Sequence, residues 1–450
     1  MKIMAREGRI CKLHRRDWPG FLSRVVPDHT WQQLNRGRRR ASDPRLRWSS
    51  KHVLLCWIIM GWSIQGQLTE RFREGVELLS RMFYRRRRCG GTYQGLTQAT
   101  QRVGMAVFAD FWRCLRQTIP NRVGPAWTWF GWTVFAVDGS RVDAPRTQGN
   151  EKSLGKAGRD KTHPQWWITR LIHLPTRMMW DWRQGPGNSS ERAHLREMIP
   201  SLPASSLLVA DTGFGGFDFL WQLSNAKVMF LIRCGANTTL LVEDTGQRIE
   251  RRGECRHVYL WPRNRRWHPP LCLRLIVLKR DGKRVYLLTN VLESPRLSRS
   301  MAGELYRARW GIEVAFRGLK QTLARRQVLA RTPEIGAMEL AANILALALL
   351  LLYAALVMGV RVIRLSVADA LRAIRRAMER VRDGHSCSTL GEDLWAAVCD
   401  DYLRRSSKRA RDWPHKKKER PPGCPKLRRL KGREITRVYR TLSEHAPRLT

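Results

Sequence analysis

The sequence predicts an α/β fold: a mixed five-stranded sheet with flanking helices, a β-rich insertion, and helical regions on either side. Three observations carry that expectation. Between Thr133 and Cys234 five short apolar segments alternate with helical patterns in the order strand, strand, strand, helix, strand, helix, strand. The next stretch, 236–292, is rich in hairpin signals around Asp281-Gly282. The period then turns helical from Leu305 onward.

From residue 1 to 128 the pattern is helical and basic. Lys51 to Phe83 holds apolar positions at helical spacing, interrupted by Gly61 and Gly66, and Thr92 after Gly90-Gly91 has the chemistry of a helix N-cap. Arg85 to Arg88, with Arg86 and Arg87 at the centre, lie just before that cap. Four arginines beside a helix N-terminus suit a phosphate backbone, and they suit a solvated charge run equally well.

TVFAVD (Thr133–Asp138) reads as a buried strand ending in Asp-Gly-Ser. QWWITRLIHL (Gln165–Leu174) and TRMMWDWR (Thr176–Arg183) read as two more, joined by a short turn. Ser190–Met198 is a helix, SLLVAD (Ser206–Asp211) a fourth strand, Gly215–Asn225 a helix and KVMFLIRC (Lys227–Cys234) a fifth strand. Three strands followed by two right-handed crossovers give a mixed sheet in which the first and fourth strands are parallel neighbours. Asp138 and Asp211 then fall side by side at one sheet edge, where α/β folds place their sites. Taken singly, each aspartate reads as a turn or loop start.

After the insertion comes YRARWGIEVAFRGLK, Tyr306 to Lys320. On one continuous helix, with Tyr306 at zero, Arg309, Glu313 and Lys320 fall at about −60°, −20° and −40°. A hydroxyl, a guanidinium, a carboxylate and an ammonium therefore share one stripe. Such a stripe is also what a solvated i, i+4 ion-pair ladder looks like. Ile344 to Val360 is a long apolar run, read as a buried core helix rather than a membrane span. Ser366 is positioned to cap an amphipathic helix through Val381. From Arg404 nearly everything is basic or proline, which predicts a disordered arm. The expected organisation is thus 1–128, a core at 129–360 interrupted by 236–292, a helical region at 361–403, and a basic, largely disordered tail at 404–450.

The net charge of +45, from 83 Lys+Arg against 38 Asp+Glu, makes a polyanion the expected partner and nucleic acid the leading class. Ten cysteines without a CxxC pair or zinc-like spacing read as reduced thiols of a cytoplasmic protein. Three carboxylates without His or Cys form an all-oxygen set, the preference of Mg²⁺ or Mn²⁺. Two such ions about 4 Å apart can activate a hydroxyl and stabilise a leaving 3′-oxygen at phosphorus.

Tyr306, Arg309, Glu313 and Lys320 match Y-x2-R-x3-E-x6-K, and the match extends to FAVDGSRVDAP, LLVADTGFGGFDF, YLLTNV and WPHKKKERPPGCPK. In these segments the chain resembles the DDE-class insertion-sequence transposases of family four. That resemblance implies an RNase H-like catalytic core with a β insertion between the second Asp and the Glu; the helical, basic region 1–128 is expected to bind DNA. The resemblance implies Asp138, Asp211 and Glu313 as the catalytic, metal-binding triad for two Mg²⁺ or Mn²⁺ ions. It also implies Tyr306, Arg309 and Lys320 at the DNA, with strand cleavage and strand transfer at inverted-repeat ends into target DNA by a DNA-bound homodimer. Such a protein is expected in the cytoplasm with the nucleoid, not in a membrane. Some relatives stack a Trp of the insertion on a flipped base; Trp267 and Trp261 are the candidates here, and core packing is the competing role for each. Relatives often carry Arg after the second Asp, where this chain has Thr212. The alternative function is a non-catalytic basic nucleic-acid-binding protein, a decayed or domesticated transposase.

Overall fold

The computed structural model describes residues 25–35, 47–82, 89–155, 162–243, 255–280, 283–385, 387, 389–399 and 422–445. Arg86 and Arg87 lie outside the described residues. Among the described residues six helices precede the first strand: α1 (Asp28–Asn35), α2 (Ser50–Trp62), α3 (Leu68–Met82), α4 (Tyr93–Val103), α5 (Met105–Arg116) and α6 (Ile119–Val123). Thr92 caps α4, its hydroxyl accepting from the Gly95 amide at 3.1 Å. Helix α2 runs through Gly61 rather than breaking there, and Ala346 leaves no room for a side chain at that position: a Cβ at 61 would sit 2.6 Å from the Ala346 Cβ.

The strand order expected from the sequence is present. Strands β1 (Thr133–Asp143), β2 (Gln165–His173) and β3 (Met179–Pro186) pair antiparallel, with the short helix α7 (Gln148–Leu154) between the first two. Helix α8 (Glu191–Met198), capped by Ser190, leads to β4 (Ser206–Ala210), and α9 (Phe217–Asn225) leads to β5 (Met229–Cys234). Both later strands are parallel to β1, giving the block β3-β2-β1-β4-β5 of an RNase H-like sheet. β1 is five residues longer than expected. Asp138-Gly139 is no turn, because β2 pairs along it out to Asp143 and Gln165.

The five strands are half of a larger sheet. The insertion supplies β6 (Thr239–Val242), β7 (Cys255–Leu260), β8 (Leu271–Arg280) and β9 (Lys283–Thr289). β9 pairs antiparallel with β5, so the insertion covers what would otherwise be an open edge and continues the same sheet. A tenth strand, β10 (Lys426–Arg429), pairs parallel with β6 and is followed by α15 (Gly432–His445). This corrects the expectation of a disordered arm for 422–445. Leu430 and Val438 are buried against Leu241, Tyr259 and Trp261, and that apolar contact holds the basic segment to the sheet.

After the insertion come α10 (Arg299–Ala308), α11 (Gly311–Arg317), α12 (Pro333–Met358), α13 (Val367–Arg382) and α14 (Leu390–Trp395). One face of the sheet packs on α10 and α11 through Val134, Ala136, Leu207, Val209, Leu305, Ile312 and Phe316. The other packs against a single apolar cluster that runs from Val25 to Ala397 and is centred on α12. The most apolar 18-residue window of that helix is 94% buried in protein, as a core helix requires. Arg325, 3% exposed, donates to the carbonyls of Met60, Gly61 and Ser63 at the end of α2. Its neighbour Glu339, buried on α12, accepts from the Leu329 and Ala330 amides and lies 3.9 Å from Arg71. The N-terminal helices and the sheet therefore share one interior.

Candidate active site

The register of β1 and β4 sets the first two acids. Ala136 pairs with Val209, so two residues further along each strand Asp138 is level with Asp211. Asp138 stays in mid-strand, its Oδ1 accepting from the Gly139 amide at 2.8 Å. Asp211 ends β4 and caps a 3₁₀ turn, Thr212–Phe214. Its Oδ1 accepts from the Thr212 amide and, at 3.0 Å, from the Thr212 hydroxyl. Thr212 thus orients the second acid directly.

The third acid arrives on an interrupted helix. The sequence suggested one continuous helix through Leu323, but α10 stops at Ala308, a turn at Arg309-Trp310 intervenes, α11 covers two turns, and Gly318–Thr322 is a π-helical turn. The break directs Arg309 inward. Its Nη2 lies 3.9 Å from Oδ2 of Asp211 and 3.7 Å from Oε1 of Glu313. Tyr306 is half-buried beside it, with the Arg309 guanidinium 5.6 Å from the ring centre, and burial raises the pKa of its hydroxyl. Lys320 does not join this group. The π-helical turn carries it further along β1, where the charged groups around it are Asp143, Arg326 and Arg141.

Electrostatics follow from the crowding. Burial raises the pKa of Asp138, and Asp211 raises it further against the pull of Arg309 and the Gly139 amide. Burial also raises Glu313, with Arg309 opposing and both aspartates adding to the shift. Among the described residues no three His, Cys, Asp or Glu side chains stand close enough to share one ion. The donor chemistry nevertheless fits a hard divalent cation. The acids offer only oxygen, the Asp211 charge raises the proton affinity of Asp138 and Glu313, and a cationic guanidinium already bridges two of the three.

Several residues at the site were not singled out from the sequence. Glu191, at the start of α8, faces both aspartates, and burial and those two charges raise its pKa. Arg170 on β2 is paired in register with Asp138 and is 1% exposed. Trp310, 57% exposed in the helix break, lines a groove of about 1020 Å³ with Tyr306, Arg307, Arg309, Arg299 and Lys279. A second cleft of about 630 Å³ opens beyond Asp211 and is lined by Arg192, Thr212, Arg233, Arg263, Arg266 and Arg428. Arg170 had a visible signal, a charge inside an otherwise apolar strand; Glu191 read as an ordinary first-turn acid.

The two tryptophans of the insertion separate cleanly. Trp261 is 3% exposed, its Nε1 donates to the His268 carbonyl at 2.8 Å, and Arg266 and Arg437 lie 4.2 and 5.6 Å from its ring. Trp267 is 68% exposed and stacks on His268 at 3.8 Å. Only Trp267 presents an open ring.

Comparison with known proteins agrees with this architecture. Residues 129–351 match the family model described as the transposase DDE domain. The transposase InsG for insertion sequence element IS4 of Escherichia coli (strain K12) is 26% identical over 300 residues, covering 63% of this chain and 66% of that protein. The putative transposase y4zB of Sinorhizobium fredii (strain NBRC 101917 / NGR234) is 25% identical over 168 residues, 33% of this chain and 43% of that protein. The chain thus spans just under two thirds of the first relative's length and less than half of the second's. With two aspartates level on adjacent parallel strands and a glutamate helix on the same face, residues 129–351 are a transposase DDE domain, and the chain is similar to transposases of insertion sequences.

Proposed function

We propose that the chain cleaves DNA strands at the ends of an insertion sequence and joins the freed 3′ ends to target DNA, acting as a homodimer on the paired ends. The observation that carries the reading is the register that brings Asp138 level with Asp211, with Arg309 bridging Asp211 to Glu313. Asp138, Asp211 and Glu313 are the residues that would hold divalent ions, Mg²⁺ or Mn²⁺. When bound, such ions supply Lewis-acid activation of a water or 3′-hydroxyl and neutralise charge at the scissile phosphodiester.

The remaining steps fall to the protein. Arg309 pairs with the acids here and is within reach of a phosphate once those acids take another cation. Thr212 holds the Asp211 carboxylate in one orientation. The groove containing Tyr306, Arg307 and Trp310 and the arginine-lined cleft beyond Asp211 flank the acids, so a duplex lying across both meets cations on either side. Trp267 offers a face on which an unstacked base can rest. Lys320, beside Asp143, would contact DNA further from the reacting phosphate.

The test uses a plasmid carrying the element's terminal inverted repeats and the purified chain with Mg²⁺ or Mn²⁺. Asp138→Asn, Asp211→Asn and Glu313→Gln should each abolish cutting and leave end binding intact. Undiminished cutting by any one of them defeats the catalytic reading. The alternative, a non-catalytic DNA-binding protein, expects no cutting by the wild-type chain.

A further inference from the structure

Charges of one sign gathered in a half-buried cluster repel one another unless an anion lies among them. Arg266, in the turn between β7 and β8, is the centre of such a cluster. Its guanidinium lies 4.2 Å from the centre of the Trp261 ring, and that of Arg437 on α15 lies 5.6 Å from the same ring. Burial lowers the pKa of Arg266; Glu434 opposes that shift, and the charges of Arg428, Arg437 and Arg263 add to it. Four arginines thus surround one carboxylate, Glu434 in the first turn of α15. Arg263, Arg266 and Arg428 also line the cleft that opens beside Thr212, so the C-terminal segment supplies part of its wall.

Glu434 fills the place of that anion incompletely. Its Oε1 is shared, accepting from Nη2 of Arg266 at 3.2 Å and from Nη2 of Arg428 at 2.7 Å. Its Oε2 is turned to the Lys431 amide, at 2.9 Å. Nη1 of Arg266 is buried and has no acceptor among the described residues. A buried N–H left without an acceptor is costly, and here it is one prong of a donor built to grip two oxygens. A carboxylate tethered to α15 cannot serve both prongs while capping its own helix. A phosphate that arrives free of the helix can take both, and the Trp261 ring already holds the guanidinium plane in place.

We propose that Arg266 and Arg428 form a seat for one DNA backbone phosphate in the wall of this cleft, and that Glu434 occupies the seat until DNA displaces it. The inference rests on the DNA reading proposed above and adds β10 and α15 to the surface that holds the duplex. Leu430 and Val438 pack on Leu241, Tyr259 and Trp261 without involving Glu434, so the segment stays docked when the ion pair opens.

The experiment measures binding of a labelled duplex carrying the element's terminal inverted repeat to the purified full chain over a range of salt concentrations. Wild type is compared with Glu434→Gln, Arg266→Gln and Asp218→Asn. Glu434→Gln should tighten binding about threefold to tenfold. Arg266→Gln should weaken it and reduce the slope of log affinity against log salt by about one. Opposite signs at the two ends of one ion pair mark a seat contested by phosphate, whereas a pair that only fastens the tail makes both variants weaken binding alike. Asp218→Asn removes an acid from an exposed pair, with Arg265 at 3.1 Å, and should change affinity by about twofold at most. A shift there equal to that of Glu434→Gln, effects of one sign in the two pair variants, or no change in either overturns the seat and leaves the proposed function standing. Hydrogen exchange on the wild type needs no substitution: the Lys431 amide should exchange faster with DNA bound, as Glu434 leaves it, and unchanged or slower exchange overturns the displacement. A wild-type chain that binds no terminal-repeat duplex brings down the DNA reading itself.

Discussion

Arg170 stands directly across the β1–β2 ladder from Asp138, on the same face of the sheet. From there its Nη1 donates to the carbonyl of Ala315 at 3.1 Å, and its guanidinium lies 5.2 Å from the ring centre of Phe316. Burial lowers its pKa to about 10, and no carboxylate pairs with it among the described residues. One side chain thus ties the strand opposite the first aspartate to the helix that carries Glu313. Arg170→Met removes a buried charge while filling similar space, so thermal stability should move by less than about 1 kcal/mol. Cleavage should fall by about tenfold or more as α11 loses its tether, with partial recovery in Arg170→Lys. Melting curves beside a cleavage assay check this, and unchanged cleavage refutes it.

The acids should make the site a pH-dependent liability for stability. Asp138, Glu191 and Glu313 all have folded pKa values above the usual carboxylate range. The folded chain therefore binds more protons than the unfolded one just above that range. The stability these groups contribute is complete below their ordinary values, 3.8 for Asp and 4.5 for Glu, and is lost as the pH climbs through the raised ones. Asp138→Asn should accordingly melt about 1–2 °C higher than wild type at pH 7.5, without added metal, while being inactive. At a pH below the ordinary carboxylate values the two should melt together. A lower melting point at pH 7.5 would contradict the repulsion argument.

Gly139→Ala places a methyl group where Trp167 and Glu191 already are. It should cost roughly 1–3 kcal/mol by overpacking, measured by urea denaturation. Gly66→Ala is the comparison: a Cβ added there would meet nothing within 4 Å, and its φ is not in the left-handed region. That change should be neutral or stabilising by up to about 1 kcal/mol. Equal effects at the two sites would mean that position 139 is not tightly packed.

The two tryptophans should behave oppositely. Trp261→Ala empties a buried site and should cost about 3–5 kcal/mol of stability. Trp267→Ala should leave the melting point within a degree or so of wild type and weaken binding to a terminal repeat with an unpaired base by roughly 1–3 kcal/mol. Gel-shift titration against paired and unpaired substrates reads this. Equal weakening on both would assign Trp267 to general contact rather than to a base.

The parts of this fold set by local pattern could be read from the sequence. All five strands of the central block and the Thr92 and Ser366 caps lie where apolar runs and cap chemistry placed them. What depends on pairing was hidden. Asp138-Gly139 has turn chemistry, and only the ladder with β2 keeps it extended. The break at Arg309-Trp310 has no proline to announce it, so an angle calculation on one straight helix put Lys320 beside Glu313. Glu191 is invisible for a related reason: it meets the aspartates across the thickness of a sheet, a relation that no spacing along the chain encodes. The tail was misread because its composition hides a few apolar residues, Leu430 and Val438, that are enough to dock it.

The outermost ladder joins Lys426 to Thr239, partners almost two hundred positions apart. On a ribosome adding about 5–20 residues per second, β6 waits on the order of ten to forty seconds for its mate. Throughout that interval its free amides and carbonyls advertise for any extended peptide nearby. The nascent polypeptide is therefore open to mispairing at this rim until synthesis reaches β10, and expression at lower temperature or with a chaperone should recover more usable protein.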